Sequence, residues 1–349
     1  VLLGLVVLGV SPSARQDRQP PTPRAGASEL EIVPVRDHIY VIGGAGANVV
    51  VSAGRDGFFL VDSGLESTSD RVIASVHELQ RWIDLKTAPV ERFGAEGNAS
   101  TVLEPYYRSA PPKPIRYIAN TTIGLDHIGG NAKVAAAGKT FTGGNVTGQI
   151  GGIDEGAAIL AHENLLNRMG QLKLPSKALP TDTYFGNQMK LSHFFNGEGI
   201  VLFHAPAATT DGDSFVHFRY SDIIATGDIF RMSAYPAIDI EKGGSIQGVL
   251  DALNRIVDMS VAEFRTEGGT MFIGGHGRIG DLADLTYYRD MCTIIRDRVQ
   301  DMIKKGMTLA QIKAAKPSED WDGRFGTDPT WTPDMFAEAI YKSLTKKGG

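Results

Sequence analysis

The strongest constraint on the fold is the stretch Asn120-Thr-Thr-Ile-Gly-Leu-Asp-His-Ile-Gly-Gly-Asn131, directly after the apolar run Ile115-Arg-Tyr-Ile-Ala119. The run reads as a buried strand. Gly129 and Gly130 then turn the chain into a short helical segment over 132–137. At the mouth of that strand an acid and an imidazole, Asp126 and His127, stand side by side. Both are ligand types for a divalent ion, so this is where a metal site would be built.

The neighbouring sequence supplies an α/β frame. Ile39–Ile42, Asn48–Ser52 and Phe58–Val61 are β-type runs separated by glycine-rich turns and by Arg55-Asp-Gly57, which predicts an antiparallel meander. After Asp62-Ser-Gly64 the period changes. Val72, Ile73, Val76, Leu79 and Ile83 recur at helical spacing, which predicts a helix over 70–83 that packs on the sheet. Further strands are expected at 158–161, 200–204, 214–218, 222–226 and 271–273, with a helix over 163–169 and one capped by Ser245. In the tail, Leu285, Tyr288, Cys292, Ile295, Val299 and Met302 mark a helix ending in Lys304-Lys305-Gly306. Thr308-Leu-Ala-Gln311 is a capping box for the next helix, and a last helix is expected over 333–344.

Composition removes several function classes. The net charge is −5 and the basic residues are scattered, so there is no electrostatic footprint for nucleic acid. The apolar run Val1–Val10 is shorter than the roughly 20 residues that span a bilayer. It resembles the core of a secretory signal over 1–14, with Ser11, Ser13 and Ala14 near a cleavage point, and predicts an exported protein without stable membrane insertion. A polar, proline-rich spacer over 15–28 would follow. Cys292 is the only cysteine, which excludes an intrachain disulfide. Residues 84–114 read as a long loop near the site, with Tyr106 and Tyr107 as candidate pocket walls. The glycine-rich stretch 142–152 lacks the Lys-Ser/Thr ending of a phosphate-binding loop, and no Gly-x-Ser-x-Gly elbow is present for a serine hydrolase.

The frame around Asp126 and His127 resembles the signature loop of the metallo-β-lactamase superfamily, in which Asn-Thr leads into His-x-His-x-Asp-His and then Gly-Gly-Asn. Four other segments resemble the family in the same order: Asp62-Ser-Gly64, His204-Ala-Pro-Ala-Ala-Thr-Thr-Asp-Gly-Asp-Ser214, Thr226-Gly-Asp228 and Gly274-Gly-His-Gly277. The resemblance implies a four-layer αβ/βα sandwich over 29–280, with residues 281–349 as a helical C-terminal extension. It also implies which ligands are present. Thr122, Gly124 and Thr209 stand where the first metal position has histidines, whereas Asp126, His127, His276 and the bridging Asp228 retain the second. Asp62 is placed behind the ligands rather than among them, and His204 could approach the emptied side.

Two imidazoles and two carboxylates make a workable shell for one divalent ion, Zn²⁺ first and Fe²⁺ or Mn²⁺ as alternatives. Such an ion can lower the pKa of a bound water to about 7. With Asp126 as catalytic carboxylate, the chain is then expected to hydrolyse a small ester, amide or lactam. The Thr122 and Thr209 hydroxyls would orient a water, and Gly124 could use a backbone conformation closed to other residues. Without an ion, Asp126 and Asp228 would share a confined site; either one pKa rises or His127 or His276 takes the proton in a hydrogen-bonded cluster. A second reading stays open: a catalytically inactive binding protein that keeps fold and pocket. The substrate's identity, any partner protein and the oligomeric state are not readable.

Overall fold

The computed structural model describes residues 30–87, 113–140, 156–260 and 268–346. The signal-like run, the spacer, the glycine-rich stretch at 142–152 and most of the 84–114 loop, including Tyr106 and Tyr107, lie outside these residues. Strands β1 (Glu31–Arg36), β2 (Ile39–Ala45), β3 (Ala47–Gly54) and β4 (Gly57–Val61) form the antiparallel meander. Helix α1 (Ser69–Thr87) follows. Then β5 (Ile115–Ala119), the short helices α2 (Leu125–Ile128) and α3 (Asn131–Ala136), β6 (Ala158–His162), α4 (Glu163–Met169) and β7 (Asp182–Tyr184) complete a seven-stranded sheet in sequence order.

The second sheet has five strands in the order β12-β11-β10-β9-β8. These are β8 (Gln188–Phe195), β9 (Glu198–His204), β10 (Ser214–Phe218), β11 (Ile223–Gly227) and β12 (Met271–Gly274), with α5 (Ile246–Met259) crossing between the last two. The helices α6 (Leu282–Lys304), α7 (Leu309–Ala314), α8 (Glu319–Phe325) and α9 (Pro333–Thr345) follow. Among the described residues no helix is long and apolar enough to cross a membrane.

Strand alternation explains the layers, because successive side chains point to opposite faces. Ile39, Val41, Val50, Phe59 and Val61 enter the core between the sheets, opposite Ile200, Leu202, Val216, Phe218, Ile223 and Ile273. Their neighbours Tyr40, Ile42, Val49, Val51, Phe58 and Leu60 face the other way, against Val72, Val76 and Leu79 of α1. A strand buried on both faces reads as a continuous apolar run, which is why β2 to β4 do so. On the outer face of the second sheet, Phe215, Ile224 and Phe272 pack against α5 and α6. The result is the expected helix–sheet–sheet–helix sandwich.

Chain direction decides where a site can form. β4, β5, β6 and β7 are mutually parallel, as are β11 and β12. Their carboxyl ends therefore gather at one edge, where open α/β sheets present ligand sites.

The C-terminal helices share a single core with the segment after β11. Ile229, Phe230, Met232, Tyr235 and Ile238 cluster with Tyr288, Cys292, Phe325 and Phe336. Tyr235 stacks on Phe336 with ring centroids 4.6 Å apart, and the Tyr288 hydroxyl donates to the Ala234 carbonyl. The helix boundaries are as expected: Gly306 takes φ +78° after α6, and Thr308 and Gln311 form a reciprocal capping box that opens α7. Since Phe336 is fully buried, Phe336→Ala is expected to cost about 4 kcal/mol through the cavity it leaves, measured as a lowered urea midpoint.

Candidate metal centre

Four elements converge at the sheet edge. Asp62 directly follows β4, and its φ of +64° is unusual for a residue with a side chain. That turn aims its carboxylate back under the 120–131 loop. Thr121 donates to it twice, from its backbone N–H at 2.8 Å and from its hydroxyl at 2.6 Å. The third donor is Nδ1–H of His127, at 2.8 Å from Asp62 Oδ2. This bond fixes the tautomer of His127 and leaves the Nε2 lone pair directed away from Asp62.

The loop itself is tied from behind. Asn131 donates to Asn120 Oδ1 and to the Ala178 carbonyl, and accepts from Ser63 and Asn120. Thus the Asn residues at the two ends of the motif, and the Ser beside Asp62, form one buried network. Gly130 is needed for close packing, because a Cβ there would lie 2.4 Å from the Ser63 carbonyl oxygen.

In front of His127, Asp228 at the end of β11 places Oδ1 3.3 Å from His127 Nε2. His276, in the loop after β12, places Nε2 3.0 Å from Asp126 Oδ2 and 3.6 Å from Asp228 Oδ1. One donor atom each of Asp126, His127 and His276 lies within 4.8 Å of the others. His127 Nε2 and Asp228 Oδ1 are buried and face each other as a 3.3 Å ion pair, with no well-formed hydrogen bond to any other group. A buried pair held by so little is costly, and a cation between the two atoms would satisfy both. The two imidazoles and two carboxylates fit a divalent ion in donor type and in balance of charge.

Electrostatics describe the same cluster without an ion. Burial opposes a charged His127, but the Asp228 and Asp62 carboxylates raise it well above the usual imidazole range. Burial likewise opposes ionised Asp228, yet His127, Arg231 and His276 hold its carboxyl below its ordinary value. Asp126 is also lowered, burial being outweighed by the hydrogen bond with His276 and the charge of His127. The expected upward shift of one carboxylate therefore does not occur, because imidazoles stand between the acids. The protonated-histidine form of the cluster is the one the geometry favours.

The side lined by Thr122 and Thr209 is differently built. Thr122 donates to Asp213 Oδ1 at 3.0 Å, and Thr209 donates to Oδ2 from its N–H at 2.7 Å and from its hydroxyl at 2.5 Å. Thr210 adds its N–H to Oδ2 at 2.9 Å and its hydroxyl to Oδ1 at 2.7 Å. Asp213 is fully enclosed. Burial raises its pKa, and these hydrogen bonds offset that only in part. Hence the threonine hydroxyls do not orient a water; their protons are committed to Asp213. Gly124 also departs from expectation, since φ −55° and ψ 132° suit any residue. Its constraint is space: a Cβ would lie 2.5 Å from Asp126 Oδ1.

His204 does not join the cluster. Its ring stacks on His162 with centroids 3.5 Å apart, and its Nε2 donates to the Asp211 carbonyl at 2.8 Å. Two residues around the cluster were not expected from the sequence. Asp213 is one, although the two adjacent threonines before it signal a hydroxyl-capped turn. Arg231, three residues after Asp228, places Nε 3.9 Å from Asp228 Oδ1 and Nη2 3.6 Å from Asp328.

With this geometry in view, comparison with known proteins decides the family. A family model described as the metallo-beta-lactamase superfamily matches residues 42–264, more than half the chain. The chain belongs to the metallo-β-lactamase superfamily. No curated protein matches. Among solved structures, DIM-1 metallo-beta-lactamase is similar at 15% identity and a TM-score of 0.51, over 76% of this chain and 98% of that one. The stereoselective inverting sec-alkylsulfatase Pisa1 from Pseudomonas sp. is similar at 13% identity and a TM-score of 0.56. It matches 90% of this chain, which spans half the length of the sulfatase. At these identities the likeness is one of metallo-β-lactamase fold.

The stacked histidines give a pH dependence distinct from the metal cluster. Burial, and then the charge of His204, push His162 down to about 4 from 6.5. The unfolded chain then binds more protons than the native one between these values, so stability falls as pH drops from 6.5 toward 4. His162→Phe should flatten that part of the stability profile, read from urea midpoints at pH 4, 5, 6 and 7.

Proposed function

We propose that this member of the metallo-β-lactamase superfamily is a hydrolase with a reduced, single-ion centre held by Asp126, His127, His276 and Asp228, acting on a small ester, amide or lactam. The observation that carries the proposal is the convergence of four donor groups: buried His127 Nε2 and Asp228 Oδ1, 3.3 Å apart and without a well-formed hydrogen bond to any other group, beside His276 and Asp126. Zn²⁺ suits the mixed nitrogen and oxygen donors best, with Fe²⁺ or Mn²⁺ as alternatives. When bound, the ion supplies Lewis acidity and the activation of water. Asp62 holds the His127 tautomer from behind. Asp126 and His276 are the partly exposed members, so substrate reaches the centre past them. Leu65 and Leu125 are exposed apolar residues beside Asp126, and they support a substrate with an apolar portion near the scissile group. The apolar run at 1–10 and the spacer after it support an exported protein.

A second reading has its own support. The threonine donors around Asp213 fill the first metal side with a closed hydrogen-bonded network, as expected of a binding protein that no longer performs hydrolysis.

Stoichiometry separates these readings from a dinuclear enzyme. Protein purified without added metal and titrated with Zn²⁺ should bind at most one equivalent by elemental analysis, and His127→Ala or His276→Ala should remove it. Two equivalents would sink the single-ion reading. A gain-of-site variant separates hydrolase from binding protein. Thr122→His, Gly124→His and Thr209→His together should create a second ion position and raise hydrolysis of generic esters or lactams, since the dihedral angles at Gly124 suit any residue and the Asp126 carboxylate, 34% exposed, has room to turn from the new Cβ. A well-folded triple variant that takes up no second ion would favour the binding-protein reading.

A further inference from the structure

The loop that presents His276 is built almost without side chains. Gly274, Gly275 and Gly277 surround the imidazole. Gly275 is required by space, since a Cβ there would lie 2.5 Å from Asp228 Oδ1 and 2.7 Å from His127 Cε1. Gly277 is required by conformation, at φ +95°. Such a loop brings the backbone close to the cluster, but glycine also gives it the greatest freedom to leave. Some other group must hold it.

That group is on the opposite sheet. Asn48, near the start of β3, donates its backbone N–H to the Gly275 carbonyl at 2.8 Å. Its side-chain Nδ2 donates to the Gly274 carbonyl at 3.0 Å and to the Gly277 carbonyl at 2.9 Å. One asparagine thus satisfies the three glycine carbonyls that bracket His276, using both hydrogens of its amide. From the other side, Gly275 donates to the Gly227 carbonyl at 2.8 Å, beside Asp228. The loop is pinned between the two sheets.

We infer that Asn48 is a positioning residue for His276: it touches no donor atom of the metal centre, and fixes the loop that aims the imidazole at Asp126 and Asp228. The inference rests on the reading of His276 as a metal ligand only where metal affinity is the readout. Groups that orient a ligand from outside typically change metal affinity by about 10- to 100-fold when removed.

The test uses Asn48→Ala, with Asn48→Ser as the milder variant should the first not fold, each checked by thermal melting. In the otherwise unchanged protein, Asn48→Ala should weaken Zn²⁺ binding about 10- to 100-fold, measured by competition with a chromophoric chelator. Unchanged Zn²⁺ affinity in a folded Asn48→Ala or Asn48→Ser protein would overturn the inference. A second readout needs no metal. The ¹⁵N-labelled imidazole of His276 in metal-free protein should give one sharp set of resonances, broadened or split by Asn48→Ala or Asn48→Ser; an unchanged spectrum would overturn the inference. If the unaltered protein binds no Zn²⁺, the single-ion proposal fails while the imidazole spectra still decide the role of Asn48.

Discussion

Everything at the sheet edge depends on how His127 is held. Its ring is fully buried between Asp62, from the end of β4 in one sheet, and Asp228, from the end of β11 in the other. Burying an imidazole between two carboxylates is favourable only if charges and hydrogen bonds are balanced. The balance here comes from Thr121 and Nδ1–H on Asp62, and from His276 and Arg231 near Asp228. Because the two acids belong to different sheets, the contact also registers one sheet against the other. The positive φ of Asp62 is the local strain that this geometry requires, and such strain concentrates at functional sites.

Much of this was legible in the sequence because the residues of the cluster sit in short contiguous frames at strand ends, which resemble the family's own. Asp62, Asp126, His127, Asp228 and His276 were each marked by glycines or turn residues that the backbone needs there. The buried strands and long helices were equally visible, since period 2 and period 3.6 are imposed by burial. The missed elements lack that imprint. β8 is an edge strand whose exposed face carries Gln188, Lys190, His193 and Phe194. β7 spans three residues, and α8 seven. Asn48 was missed for a different reason: its role comes from contacts with a segment more than 220 residues away, which no local pattern encodes.

The C-terminal helices are more than a cover. They pack on residues 229–238, the segment that leaves Asp228, and Asp328 between α8 and α9 reaches Arg231. The charge around Asp228 is therefore set jointly by the sandwich and its extension. Tyr235 and Tyr288 anchor that segment through buried hydroxyls, the first on Asp322 and the second on the Ala234 carbonyl.

The threonine network around Asp213 carries a consequence for substitution. Each replacement of Thr122 or Thr209 by an imidazole removes a hydroxyl donor from a carboxylate enclosed by protein, while a single imidazole holds a metal only weakly. Changing either threonine alone would thus cost stability before enough imidazoles were present to hold an ion, so this side of the pocket resists piecemeal substitution.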